Sequence, residues 1–247
     1  MTVFNPNITI FNHSIPQIGY VARTITQGEE FELVNSYINY LLEKYKNLKQ
    51  KKVAIFIEPQ IDTGYPDLVV VEYYPINNFS WKHGRENLSV TDLKILFYIQ
   101  TQKHTSINKI NKILGFPINT IEKTINILLE YGLIHVSKTK VFVSNVPLSS
   151  FCRIHKIISI EAKIDKWSEA IRQASNNIWF STESYILLKK ETCKPEIVQS
   201  CKKHGIGIVL LNGNIRLEIK AEKRQFPVSY ASLYFNEILL RKENLEV

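Results

Sequence analysis

Apolar and polar positions along the chain follow two rhythms, and the rhythm changes over twice. In "GEEFELVNSYINYLLEKYKNLKQ" the residues Phe31, Val34, Ile38, Leu41, Leu42 and Tyr45 recur every three or four positions. That spacing predicts an amphipathic helix with a basic, polar end. Two β-rich runs follow, "KKVAIFIEPQ" and "GYPDLVVVEYYP", separated by Asp62, Thr63 and Gly64. They read as a strand hairpin whose second strand begins at Asp67. The residues ahead of the first helix read as irregular.

From about residue 88 the texture turns helical. "LSVTDLKILFYIQTQ", "SINKINKILGF" and "INTIEKTINILLEYGLI" each carry helical apolar spacing, and "HVSKTKVFVSN" reads as a short basic hairpin. Three helices and a hairpin predict a winged helix-turn-helix. Ser106 is placed to cap the second helix, Gly115 to end it, and Pro117 to mark the turn. Asn119 or Thr120 is expected to cap the third helix, which Gly132 stops.

After residue 153 the strand rhythm returns: "HKIISIEAKI" and "SYILLKK" are strands, with "IGIVLLN" and "NIRLEIKA" later. "DKWSEAIRQASNN", with Asp165 as its expected cap and Trp167, Ala170, Ile171 and Ala174 on one face, and "KPEIVQSCKKHG", opened by Pro195, are the intervening helices. Strand–helix–strand–helix–strand order implies parallel pairing with crossover helices. "SYASLYFNEILLRKENL" reads as a terminal helix. The expected organisation is an α/β domain formed by residues 1–80 and 153–247, interrupted by an inserted helical module at 88–147.

Composition adds limits. The 247 residues are 45% hydrophobic and 22% charged, an ordinary globular mixture able to bury a substantial core. No apolar run approaches the roughly 20 residues of a membrane span, and the start lacks a basic region followed by an apolar core. A cytoplasmic protein without a membrane partner is the expectation. The formal charge of +8 favours an anionic partner. Cys152, Cys193 and Cys201 lack disulfide spacing, and Cys193, Cys201 and His204 lack a fourth zinc ligand or a C-x-x-C knuckle.

The chemistry concentrates in one strand. Side chains alternate along a strand, so Glu161 and Lys163 of "SIEAKI" share a face opposite Ile160, Ala162 and Ile164. A charged pair there marks either a wet face or a site. With the preceding hairpin and its Pro66-Asp67, the Glu161-Ala162-Lys163 strand resembles the PD-(D/E)xK nuclease superfamily, which has the restriction-endonuclease-like fold: a mixed sheet flanked by helices. The next helix is similar too, since Trp167, Ala170, Gln173 and Ala174 match the W-x-x-A-x-x-Q-A pattern of its glutamine-bearing helix. The resemblance covers roughly residues 25–76 and 153–220. It implies that Asp67 and Glu161, 94 positions apart, are neighbours in space.

Hydrolysing a phosphodiester requires charge neutralisation and an activated water, both of which a divalent cation supplies. Mg²⁺ takes hard oxygen ligands, typically one or two carboxylates with waters and substrate phosphate. Asp67, Glu161 and the Ala162 carbonyl are the expected ligands for Mg²⁺ or Mn²⁺. Lys163 is expected to orient water or stabilise charge, and Gln173 to touch metal-bound water or the DNA backbone. Glu32 and Glu58 are further acidic candidates. In the inserted module, Asn119, Thr120, Lys123 and Thr124 are expected to meet duplex DNA, with Lys138 and Lys140 on the wing.

The leading expectation is a metal-dependent DNA endonuclease, suited to restriction, phage defence or mobile-DNA processing. One such site cuts one strand, so double-strand cleavage implies a homodimer or partner protein. The alternative is an inactive nuclease fold acting as a DNA-binding regulator or adaptor through the winged helix.

Overall fold

The computed structural model describes residues 7–24, 27–75, 84–102, 104–137, 140–143, 148 and 151–245. In chain order the elements are β1 (Ile8–Phe11), α1 (Glu29–Tyr45), β2 (Lys52–Ile57), β3 (Leu68–Tyr73), α2 (Val90–Gln102), β4 (His104–Thr105), α3 (Ile107–Leu114), α4 (Ile118–Glu130), β5 (Ile134–Ser137), β6 (Lys140–Val143), β7 (Ile154–Lys163), α5 (Trp167–Asn176), β8 (Glu183–Leu188), α6 (Pro195–His204), β9 (Gly207–Asn212), β10 (Asn214–Ile219) and α7 (Tyr230–Leu245). They form two compact units, Met1–Pro75 with Ile154–Val228, and Ile76–Arg153 with Ser229–Val247.

The first unit is built on a seven-stranded mixed sheet ordered β1-β2-β3-β7-β8-β9-β10. The hairpin β2–β3 and the β3–β7 pair are antiparallel, while β7, β8 and β9 run parallel, as the crossover helices α5 and α6 require. Central strands are covered on both faces and so read as near-continuous apolar runs; β8 is buried along its whole length. One face packs under α1 through Leu33, Val34, Tyr37, Ile38 and Leu41 against Ile158, Ile160 and Ala162. The other packs under α5 and α6, where Ala170 and Ala174 allow close approach to Ile186 and Leu188. The edge strand β10 is mostly exposed and carries an Arg216–Glu218 ion pair, which blunts it against further pairing. The supposedly irregular start contains β1, parallel to β2.

The second unit holds α2, α3, α4, the three-stranded sheet β4-β6-β5, and α7. The expectation that residues 153–247 belong together therefore fails at α7, which packs with α2. A buried bidentate pair explains why: Arg85 Nη2 and Nε donate to Glu237 Oε1 (2.6 Å) and Oε2 (3.2 Å), and Arg85 also donates to the Phe151 carbonyl. Ser106 caps α3 by accepting the Lys109 N–H, and Gly115 ends it in the left-handed conformation. The caps expected from Asn119 or Thr120 are displaced, because α4 already begins at Ile118 behind Pro117. Asp165 likewise gives only its backbone carbonyl, to Trp167, and Lys166 holds the cap position of α5.

Removing one partner of a buried charge pair strands the other. Glu237→Ala is therefore expected to lower stability in urea unfolding by about 3 kcal/mol, and the double variant Arg85→Met/Glu237→Leu to recover most of the loss.

Candidate active site

The site is assembled by strand register. In the β3–β7 pair Leu68 stands opposite Ile160, so the next position along puts Asp67 opposite Glu161. The Ala162 N–H donates to Asp67 Oδ2 at 2.7 Å, extending the ladder through a side chain. Lys163 Nζ donates to Glu30 Oε2 (2.9 Å) and to the Ala162 carbonyl (3.0 Å), and lies 3.9 Å from Asp67 Oδ2. The E-x-K face is dry: Glu161 is 3% exposed and Lys163 7%.

Two buried carboxylates side by side disfavour double ionisation. Burial, then the charge of Asp67, pushes Glu161 up to about 8, against a hydrogen bond from Asn177 and the charge of Lys163. Asp67 is also raised, by burial first, with Lys163 and the Ala162 N–H pulling the other way. Burial opposes charge on Lys163, but Asp67, Glu30 and Glu161 together hold it above the usual lysine range. Lys163 is thus an ammonium at neutral pH.

A cleft of about 470 Å³ opens at Asp67, lined also by Glu30, Glu58, Arg23 and Asp165. Glu58 sits in the left-handed region at φ 45°, is ion-paired with Arg23, and donates its backbone N–H to the Asp67 carbonyl (3.2 Å). Glu32 is exposed and turned from this cluster; Glu30, two positions earlier in the first turn of α1, meets Lys163 instead. Gln173 is not what reaches Glu161. Its Oε1 is buried without a hydrogen-bond partner. Asn177, just beyond α5, is buried and donates to Glu161 Oε1 at 2.6 Å. Ser181 Oγ donates to the Asn177 carbonyl (2.9 Å), and Ser159 ties Ser181 to Ser184, so Asn177 is fixed from behind. Sequence reasoning missed Asn177 because it sees the helix and not the turn after it.

Asp67, Glu161 and the Ala162 carbonyl are all hard oxygen donors, and the raised carboxylates mark negative charge that a cation would relieve. Among the described residues no group of three or more His, Cys, Asp and Glu side chains is arranged around a metal position. An ion here would take two carboxylates and complete its shell with water and substrate oxygen, the pattern of Mg²⁺.

In the second unit Asn119 and Lys123 are exposed on α4 and Thr120 is half-buried. Thr124 is a correction: it is 2% exposed, and its hydroxyl donates to Asp92 Oδ1 at 2.5 Å, so it faces the unit's interior rather than a groove. Asp92 also accepts from Ser89, N–H and hydroxyl, which fixes the start of α2. Lys138 lies outside the described residues, and Lys140 belongs to β6.

Comparison of the chain with protein-family models, with curated proteins and with solved structures finds no match.

A carboxyl group whose pKa is raised on folding costs stability as pH climbs from its unfolded value toward its folded one. In chelator, wild-type stability should carry such a loss between about pH 4.5 and 8 from Glu161. Glu161→Gln should remove it, making the variant more stable than wild type at pH 8 by on the order of 2 kcal/mol, read from urea midpoints across pH.

Proposed function

We propose that the chain is a metal-dependent endodeoxyribonuclease of the PD-(D/E)xK type, with a winged helix in its second unit that holds duplex DNA. The observation that carries the reading is the pairing of Asp67 with Glu161 across β3–β7, with the Lys163 ammonium 3.9 Å from Asp67. Asp67, Glu161 and the Ala162 carbonyl would hold Mg²⁺ or Mn²⁺. Bound there, the ion supplies a water of lowered pKa and charge neutralisation at the phosphoryl oxygens.

The protein's own groups divide the remaining work. Lys163 stays protonated, so it serves as a fixed positive charge for the transition state and not as the base. Asn177 holds Glu161 in one orientation through a short hydrogen bond. Glu30 holds Lys163 from the α1 side. The sheet supplies rigidity, since every one of these groups hangs from or beside β7.

The second unit supports the DNA half of the reading. Helices α2, α3 and α4 with a sheet ordered β4-β6-β5 follow the helix–strand–helix–helix–strand–strand course of a winged helix. Asn119 and Lys123 on exposed positions of α4 would meet the groove, Lys123 by phosphate.

A second reading keeps DNA contact and drops cleavage. The observation favouring it is that the Lys163 ammonium is already engaged by Glu30 at 2.9 Å, which leaves less of its charge for a substrate.

Supercoiled plasmid separates the two. Under the first reading wild type nicks or linearises it with Mg²⁺ or Mn²⁺ and not with chelator, and Lys163→Ala lowers the rate about a hundredfold or more. No cleavage, together with an unchanged melting temperature on adding Mg²⁺, selects the second. For the DNA contact, Lys123→Gln should weaken duplex binding and reduce the salt slope of log K by about one phosphate's worth. An unchanged slope removes Lys123 from the interface.

A further inference from the structure

Helix α4 has a dry side and a wet one. Ile121, Thr124, Ile125 and Leu128 form its buried stripe. Ile118, Asn119, Glu122, Lys123 and Asn126 are exposed on the other side. An isoleucine there does nothing for the core: Ile118 is 45% exposed, and its branched side chain favours a helix no more than a polar residue would. Residues four apart are neighbours on a helix, so Ile118 adjoins Glu122 on one ridge and Asn119 adjoins Lys123 on the next.

Asn119 is held in one orientation. The first hydrogen bond of α4 runs from the Ile121 N–H to the Pro117 carbonyl, and the Thr120 N–H lies ahead of it. Asn119 Oδ1 accepts that N–H at 2.8 Å. Only the carboxamide oxygen can take a donor, which leaves Nδ2, a pure donor, for a partner outside the helix. An apolar branch and an N–H donor thus occupy adjacent exposed positions.

Glu122 limits what this side of the helix can meet. A carboxylate repels phosphate, so the Ile118–Glu122 ridge fits base edges, where Glu122 can accept an adenine or cytosine amino group. Lys123, on the other ridge, is left for the backbone. In the major groove thymine alone carries a methyl group, and beside it on the same edge is the O4 acceptor. Cytosine puts an amino donor where thymine has O4, which would set donor against donor at Asn119.

We infer that Ile118 and Asn119 select a thymine in the bound duplex, with its C5-methyl group against Ile118 and its O4 accepting from Asn119 Nδ2. The inference rests on the DNA half of the reading above and adds the base that α4 reads. It makes the protein a sequence-selective binder and not a backbone binder alone.

The test starts with the full chain in chelator, where selection from a random duplex library should enrich a site with a required thymine. In that site uracil, which lacks only the methyl, should bind about fourfold more weakly than thymine. Cytosine should bind about tenfold more weakly or worse, and 5-methylcytosine about fourfold better than cytosine. Ile118→Ala should make thymine and uracil equal, and Asn119→Asp, an acceptor only, should turn the preference toward cytosine. Both positions are exposed, so melting temperatures should match wild type. Duplex binding without sequence preference, a selected site with no required thymine, uracil equal to thymine in wild type, or a thymine preference that survives both variants overturns the inference and leaves DNA contact standing. No duplex binding at about 50 mM salt overturns both.

Discussion

The antiparallel pairing of β3 with β7 is the constraint on which the first unit depends. It joins segments separated by the whole of the helical stretch, and its register decides what chemistry the sheet can present. Because side chains alternate with a period of two, a slip of one residue would turn Glu161 and Ser159 to the α1 face and bring Ile158, Ile160 and Ala162 out of it. That slip would bury charges against Leu33, Val34 and Leu41. The apolar core under α1 thus fixes the register, and the register fixes Asp67 against Glu161.

The same core sets the cost of the site. Three ionisable groups are held where water is scarce, and each is partly compensated: Asp67 by the Ala162 N–H, Glu161 by Asn177, Lys163 by Glu30. The compensation is incomplete for the carboxylates, which remain raised. Functional sites commonly hold groups in this condition. Arg85 and Glu237, in the second unit, are by contrast matched one to one by a bidentate pair.

Much of this was legible in the chain, for physical reasons that differ by element. The hairpin β2–β3 and the helix α1 announce themselves through periodicity, because each buries one continuous face. The E-x-K strand stood out as charge inside an apolar run. What stayed hidden depended on partners remote in sequence. The strand β1 is four residues long and owes its form to pairing with β2. Helix α7 has apolar residues on several sides, and it is placed by partners remote in sequence: the Arg85–Glu237 pair, Asn236 with the Arg153 N–H and the Phe151 carbonyl, Arg241 with the Leu88 carbonyl, and the packing against α2. Asn177 carries no pattern at all. Thr124, by contrast, could have been placed: it lies three residues after Ile121 and four before Leu128, on the buried stripe of α4.

Both units are discontinuous in the chain, and this has a consequence for how the protein is made. Synthesis is vectorial, and domains fold as units when their last segment emerges. The helices α2 to α4 leave the ribosome without α7, which follows only after the 75 residues of Ile154–Val228. At ordinary elongation rates that interval is roughly 4 to 15 s. Throughout it, the Arg85 guanidinium lacks its carboxylate and the α2 surface its cover. Both units are open through this interval, and the sheet-bearing half is completed first, while the helical half still awaits the 19 residues of Ser229–Val247.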